Sequence, residues 1–296
     1  MKKVLLATTA VVLSVGVASA EVSLSGNARM GLQYDSASGN TRLEKRMTVN
    51  IDGSTETTSG ITFGARLRLR SNEAANMDAA GARVYMKTGA IEVAVGNING
   101  AIESMPGLYD PSVGLTGLGW GGLVTNTAAA GYWGWDSYTS SSNGVEGIEM
   151  IYSGGAFTGH LSYSEQTLSS GAAAEERIGL MGAYTMNDWT FALALQDSDN
   201  NANDKIVLTV GGKLGDYGVG FSIADNDGVQ KIALNGSATF GATTVNAYIA
   251  KEDTAGLDMA YGIGASYDLG GASLVGGISH SEVGVDRADI GVSFSF

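Results

Sequence analysis

The sequence predicts an all-β protein: a 16-stranded antiparallel transmembrane β-barrel with a long, inward-folded third external loop. Three observations carry that prediction. Beyond residue 20 the chain alternates apolar and polar residues in segments mostly 8–13 residues long, close to the ~9–11 residues a tilted strand needs to cross a bilayer. There are 44 glycines but only two prolines and no cysteine, which suits many strands whose ladders exclude proline. At the C-terminus Ala288, Ile290, Val292, Phe294 and Phe296 alternate with Asp289, Gly291, Ser293 and Ser295 to the last residue. Such a strand needs both edges paired, and closing the sheet into a barrel removes its edges.

Residues 1–20 read as a cleaved secretory signal: Lys2 and Lys3, an apolar stretch from Val4 to Val17, then Ala18-Ser19-Ala20. That stretch is too short to span a bilayer at ~20 residues per helix. Residues 21–296 are expected to form one barrel domain. Without Lys2 and Lys3, 15 basic residues face 30 acids, a net charge of −15. This acidity argues against nucleic acid and against a polybasic hold on anionic lipid.

In chain order, the alternation predicts a first strand at about Val22–Tyr34, with Leu24, Ala28, Met30 and Leu32 on one face and Ser23, Asn27, Arg29 and Gln33 on the other. Arg42–Gly53, Gly60–Arg70, Ala82–Thr88 and Ala90–Gly96 follow. After a gap near 50 residues the series resumes at Gly147–Ser153, Ala156–Gln166, Glu176–Met186 and Asp188–Gln196. It then runs through Lys205–Leu214, Tyr217–Ala224, Val229–Phe240 and Ala242–Ala250, ending with Met259–Leu269, Ala272–Ser281 and Arg287–Phe296. Tight connectors (Asn187-Asp188, Gly215-Asp216, Gly241, Gly270-Gly271) interleave with longer acidic ones, the signature of an up-and-down membrane barrel. Tyr152, Phe157, Tyr163, Tyr184, Trp189, Tyr217, Phe240, Tyr261 and Tyr267 near segment ends predict interfacial girdles. The first five strands instead point small aliphatic residues outward, such as Leu24, Val49, Ile51, Ala65 and Val93, as a face covered by protein would.

Catalysis has little to work with. His160 and His280 stand alone and are expected as solvated or interfacial strand residues; no nucleophile, base and orienting group can be assembled. The acidic runs at Asp197-Ser198-Asp199-Asn200-Asn201 and Asp225-Asn226-Asp227 have hard-cation chemistry, but read more simply as exposed loops.

Charge segregation is the functional signal. Nine of the 15 remaining basic residues lie between Arg29 and Lys87, and none lies between Thr88 and Glu176, where nine acids occur. Arg66, Arg68 and Arg70 alternate with Leu67 and Leu69, so their guanidinium groups share one face about 7 Å apart. On lipid each would cost ~2–4 kcal/mol at the midplane, so that face must be the lumen. Arg29, Arg46, Arg83 and Lys87 extend a positive wall on neighbouring strands. The gap after Gly96 holds both prolines, Trp120, Trp133 and Trp135, and the acids Glu103, Asp110 and Asp136, candidates for a constriction. A loop of this length is usually functional, and Ile102, Met105, Leu108 and Leu115 argue that it folds against something. Folded inward, it sets acids across a narrow lumen from the arginines; left outside, its charges are merely solvated. The net charge favours cations and the arginine row favours anions, so the sign of selectivity stays open.

Several stretches resemble the 16-stranded general diffusion porins of photosynthetic and related alphaproteobacteria: Glu21–Gly26 with Gly31–Tyr34, Thr55–Thr57 through Gly60–Ala65, Val95–Asn97, Phe240–Val245 with Ala247-Tyr248, and Ala260–Ala265. The resemblance spans nearly the whole mature chain in the same order, and departs most between Gly117 and Tyr138. It implies a homotrimer in the bacterial outer membrane, in contact with lipid and lipopolysaccharide, passing small hydrophilic solutes by passive diffusion. It also implies an eyelet made by the third loop, with Glu103 and Asp110 facing Arg29, Arg46, Arg66, Arg68 and Arg70. No cofactor is required, and Ca²⁺ at the eyelet is an option the resemblance brings. Rival expectations are a substrate-specific channel and a non-conducting barrel serving as anchor or adhesin.

Overall fold

The computed structural model describes residues 20–73, 78–119, 121–127, 134–140, 146–166, 175–200 and 203–296. The expected signal, apart from Ala20, lies outside the described residues, as do Trp120 and Trp133.

Sixteen long strands form one closed antiparallel sheet. They are β1 (Glu21–Asp35), β2 (Asn40–Glu56), β3 (Thr62–Asn72), β4 (Arg83–Thr88), β5 (Ile91–Asn97), β6 (Glu146–Gly154), β7 (Phe157–Gln166) and β8 (Glu175–Met186). Then come β9 (Trp189–Ser198), β10 (Lys205–Leu214), β11 (Tyr217–Asn226), β12 (Val229–Phe240), β13 (Thr243–Glu252), β14 (Ala260–Asp268), β15 (Ala272–His280) and β16 (Asp286–Ser295). Each pairs with its sequence neighbours, and β16 returns to β1 in the register Asn27↔Ser295 through Asp35↔Arg287. Phe296 completes the seam. Its N–H donates to the Gly26 carbonyl at 3.0 Å, and the Gly26 N–H donates back at 2.8 Å. Its ring lies where a side chain on Gly26 would stand, 2.7 Å from the ideal Cβ position.

Most tight turns gather at one end, where Asn187 (φ 55°) and Gly215 (φ 64°) supply the left-handed backbone of two-residue hairpins, and Asp227-Gly228 makes one such hairpin at the other end. The opposite end carries the longer connectors, including the loop that follows β5. Alternation sorts the faces as expected. Leu24, Met30, Leu43, Met47, Leu180, Leu193, Ile232 and Ile263 are exposed on the outside. The expected girdle residues Tyr152, Phe157, Tyr163, Tyr184, Tyr217, Phe240, Tyr261 and Tyr267 are exposed there too.

The apolar core sits inside the barrel. Ile102, Met105, Leu108, Val113, Leu118, Leu123, Val124 and Trp135 of the long loop are buried with inward alanines, among them Ala183, Ala192, Ala194, Ala224, Ala233, Ala250 and Ala260. Beyond the alanines the wall turns to glycine, where the loop backbone comes closest. Leu115 Cδ2 lies 2.7 and 2.6 Å from where Gly31 and Gly291 would carry a Cβ, and Gly114 lies 2.8 Å from that position at Gly277. Glycine inside these strands is therefore the imprint of a second layer.

Candidate functional site

Register builds the positive wall. Arg29 faces Arg46 across β1 and β2; Arg70 faces Thr48, Arg68 faces Asn50 and Arg66 faces Asp52 across β2 and β3. Each guanidinium is fixed through Nε, which donates to a neighbour: Arg29 to Glu44 at 2.7 Å, Arg46 to Asn72 at 2.8 Å, Arg66 to Asp52 at 2.6 Å, Arg68 to Asn50 at 2.9 Å and Arg70 to Thr48 at 3.1 Å. These partners lie on the same face of the sheet, so the row turns inward as a preassembled unit. Arg42 joins it, with Nε on Gln33 at 2.8 Å and Nη2 3.5 Å from Glu73. Alternation alone did not single Arg42 out, although it stands four residues before Arg46 on the same strand.

The loop is hung from carboxylates on the wall. Glu149 (β6) accepts the N–H groups of Asn99 and Gly100 at 3.0 and 3.1 Å, and Asp289 (β16) accepts those of Leu115 and Thr116 at 2.8 and 2.7 Å. Glu252 (β13) accepts the N–H of Thr127 at 3.0 Å and pairs with Lys231. Neutral groups add to this: Thr209 Oγ1 donates to the Pro106 carbonyl at 2.6 Å and Asn246 Nδ2 to that of Ser112 at 2.8 Å. The return arm reaches β3, where Arg68 Nη1 donates to Ser140 at 3.1 Å and its guanidinium lies 4.7 Å from the Tyr138 ring centroid. Among the features missed in the sequence, these inward carboxylates are the most consequential. Their signal was an acid at a lumen position of a strand, which alternation marks but cannot connect to a loop.

Several expected site residues are placed differently. Arg83 is no part of the lumen wall: it is 6% exposed, its guanidinium held by Glu149 at 2.6 Å and Glu92 at 2.7 Å behind the root of the loop. Asp136 does not face the lumen; it is 3% exposed and 3.2 Å from Arg177, because the return arm packs it against β8. His160, expected as solvated or interfacial, is 2% exposed and donates from Nε2 to Glu149 at 2.9 Å. Lys87 shares the inward side of β4 but lies at the tight-turn end, opposite Thr62 and Glu92.

Glu103 accepts hydrogen bonds from Tyr109 Oη and from Trp135 Nε1, the latter at 2.8 Å. Asp110 lines a cavity of about 580 Å³ on the tight-turn side of the loop, with Thr190, Thr209, Lys213 and Asn235, and burial pushes its carboxyl up from the usual carboxylate range. Among the described residues neither acid lies within 4 Å of a wall arginine. On the other side of the loop a vestibule of about 1150 Å³ is lined by Arg29, Arg42, Arg46, Tyr109, Glu282 and Arg287 among others. The acidic runs serve local structure: Asp225 accepts the Gly228 N–H at 2.7 Å, and Asn226 Nδ2 donates to the Leu123 carbonyl at 3.1 Å. Among the described residues no three His, Cys, Asp or Glu side chains group as a metal site.

Comparison with known proteins agrees with this geometry. Residues 7–285 match the family model described as Gram-negative porin. A porin of Fuscovulum blasticum is 32% identical over 295 residues, covering 93% of this chain and 100% of that one. A porin of Rhodobacter capsulatus is 30% identical over 311 residues with the same coverage. A triple mutant of Rhodopseudomonas blastica porin superposes with a TM-score of 0.82 at 30% identity, over 93% of this chain and 100% of that one.

Proposed function

The chain belongs to the Gram-negative porin family, and from that premise we propose how its parts work. It is a general diffusion porin of the bacterial outer membrane, a channel for small hydrophilic solutes and ions, not a site of chemistry. The observation that carries the mechanism is the loop hung inside a closed barrel, leaving open space on both its faces. Solutes enter the vestibule, pass between the loop and the arginines of β1–β3, and leave on the tight-turn side. Arg29, Arg42, Arg46, Arg66, Arg68 and Arg70 set the field at the narrow level. On the loop side, Tyr109, half exposed and held by Glu103, shares the vestibule with Arg29, Arg42 and Arg46, while Tyr138 and Ser140 meet Arg68.

The active assembly is a homotrimer in which each barrel keeps its own channel. The outer faces of β1–β5 support this: they expose Leu24, Met30, Leu43, Met47, Val84 and Val95, while the aromatic residues concentrate on the later strands. Lys45 stands opposite Met30 and so shares that outward face; a cation there is costly against lipid and tolerable against protein. The mature protein begins near Glu21 after export.

Planar-bilayer recording of the purified protein tests the channel reading. The expected result is conductance that rises in proportion to salt, with liposome swelling by small sugars. An inserted barrel that stays silent would mean an anchor or adhesin. The wall has its own test. Replacing Arg66, Arg68 and Arg70 together with Gln should move the reversal potential in a KCl gradient toward cations, and an unmoved potential would remove their role.

A further inference from the structure

Resting on the channel reading above, we infer that the arginine cluster of β2 and β3 is a binding site for small multivalent oxyanions, phosphates foremost. The channel thereby concentrates anionic solutes although the chain as a whole is acidic.

The first ground is the spacing. Neighbouring strands lie ~4.8 Å apart and residues two apart on one strand ~7 Å apart. Arg46, Arg68 and Arg70, with Arg29 beside Arg46, thus occupy a patch the size of a di- or triphosphate. Like charges so close repel, and an oxyanion between them relieves that repulsion.

The second ground is how the guanidinium groups are held. Arg68 is anchored by Asn50, Ser140 and the Tyr138 ring, and Arg70 by Thr48 through Nε. All of these partners are neutral. Among the described residues neither Arg68 nor Arg70 has a carboxylate within 4 Å, in contrast to Arg29 with Glu44 and Arg66 with Asp52. No described group accepts from the Nη atoms of Arg70. Anchoring through Nε leaves that Nη edge to form the paired hydrogen bonds that phosphate and carboxylate accept.

The third ground is where the opposing acids went. Asp136 is paired with Arg177, and Glu103 is covered by Tyr109 and Trp135. Asp110 opens to the cavity on the far side of the loop. Glu149, Asp289 and Glu252 are occupied by loop amides. The loop acids are thus turned away from Arg68 and Arg70, and of the wall carboxylates Glu44 and Asp52 pair with Arg29 and Arg66. Above Arg68 and Arg70, Arg29, Arg42, Arg46 and Arg287 line the vestibule against Asp35 and Glu282, so the approach keeps a net positive charge and draws anions inward.

The experiment is single-channel recording in a KCl gradient, with inorganic pyrophosphate added to one side. The wild-type channel should show a reversal potential of anion-selective sign. Pyrophosphate should reduce its current saturably, and inorganic phosphate should do so at higher concentration. The Arg68→Gln/Arg70→Gln double variant should need about tenfold more pyrophosphate, about 1.4 kcal/mol of binding. Lys251→Gln, on the outer surface of β13, should match wild type. Open-channel current reports that each variant is folded. A conducting channel with a cation-selective potential and no pyrophosphate block overturns the inference and leaves the channel reading intact. Block that persists unchanged in the double variant also overturns it. Absence of current from inserted wild-type protein overturns the channel reading, and this inference with it.

Discussion

Replacing Gly277 with valine should widen the channel while leaving the barrel closed. Gly277 lies in β15 with its Cβ position aimed at the loop tip: 2.8 Å from both Cα and N of Gly114 and 3.3 Å from the Val113 carbonyl carbon. The three nearest atoms all belong to the loop. At Gly31 and Gly291, by contrast, a Cβ would run into wall backbone, the carbonyls of Ile290 and Met30. Valine at position 277 suits a strand, so the ladder to β14 and β16 stays intact. The tip of the loop has to move away. Overpacking of this kind costs ~1–3 kcal/mol, and here that cost falls on the docking of Val113–Leu115 rather than on strand pairing. Single-channel conductance should exceed that of wild type, and larger sugars should enter liposomes. The melting temperature should barely change. Wild-type conductance in a folded variant would mean that the loop tip does not set the pore.

The barrel was legible in the sequence because each of its strands answers to one local rule. Water inside and lipid outside impose a period of two, and the 16 predicted segments coincide with the 16 strands to within a few residues at their ends. The inward direction of Arg66, Arg68 and Arg70 was legible for the same reason: a charged row alternating with leucine has only one tolerable side. What alternation does not report is whether an inward position meets water or a second layer of protein. Arg83 and Arg66 look alike by that rule, yet one faces Glu149 and Glu92 under the loop and the other stands on the open wall beside Asp52. Asp136 and Asp110 differ in the same way, since the return arm presses only the first against Arg177. His160 followed its neighbours into the buried class because it stands beside Glu149 at the root of the loop. The apolar residues Ile102, Met105 and Leu108 of the loop announced a second layer, and on the wall its trace was the run of alanine and glycine at inward positions of β8–β16, small residues where a water-filled lumen would accept large polar ones.

Replacing Glu149 with alanine should destabilise the protein more than any loss from the open wall. Glu149 is 1% exposed and its carboxylate gathers four partners: the Asn99 and Gly100 N–H groups at 3.0 and 3.1 Å, Arg83 at 2.6 Å and His160 at 2.9 Å. Removing it leaves two amides and an imidazole without their acceptor and Arg83 with Glu92 alone. Breaking a buried pair in this way costs ~3–5 kcal/mol, far above the ~0–1 kcal/mol of an exposed pair. The Glu149→Gln variant keeps one oxygen to accept from the loop amides but loses the charge that Arg83 requires, so its stability should fall between. Because Glu149 ties the root of the loop and Gly277 seats its tip, the two substitutions should separate in their signatures. Release of the tip should enlarge a steady current at nearly constant stability. Release of the root should lower the melting temperature and make the current fluctuate, since the arm from Asn99 onward loses its fixed origin while Asp289 still holds Leu115 and Thr116. A Glu149→Ala protein with wild-type melting and a quiet, unchanged current would show that the carboxylate carries neither the loop nor the arginine behind it.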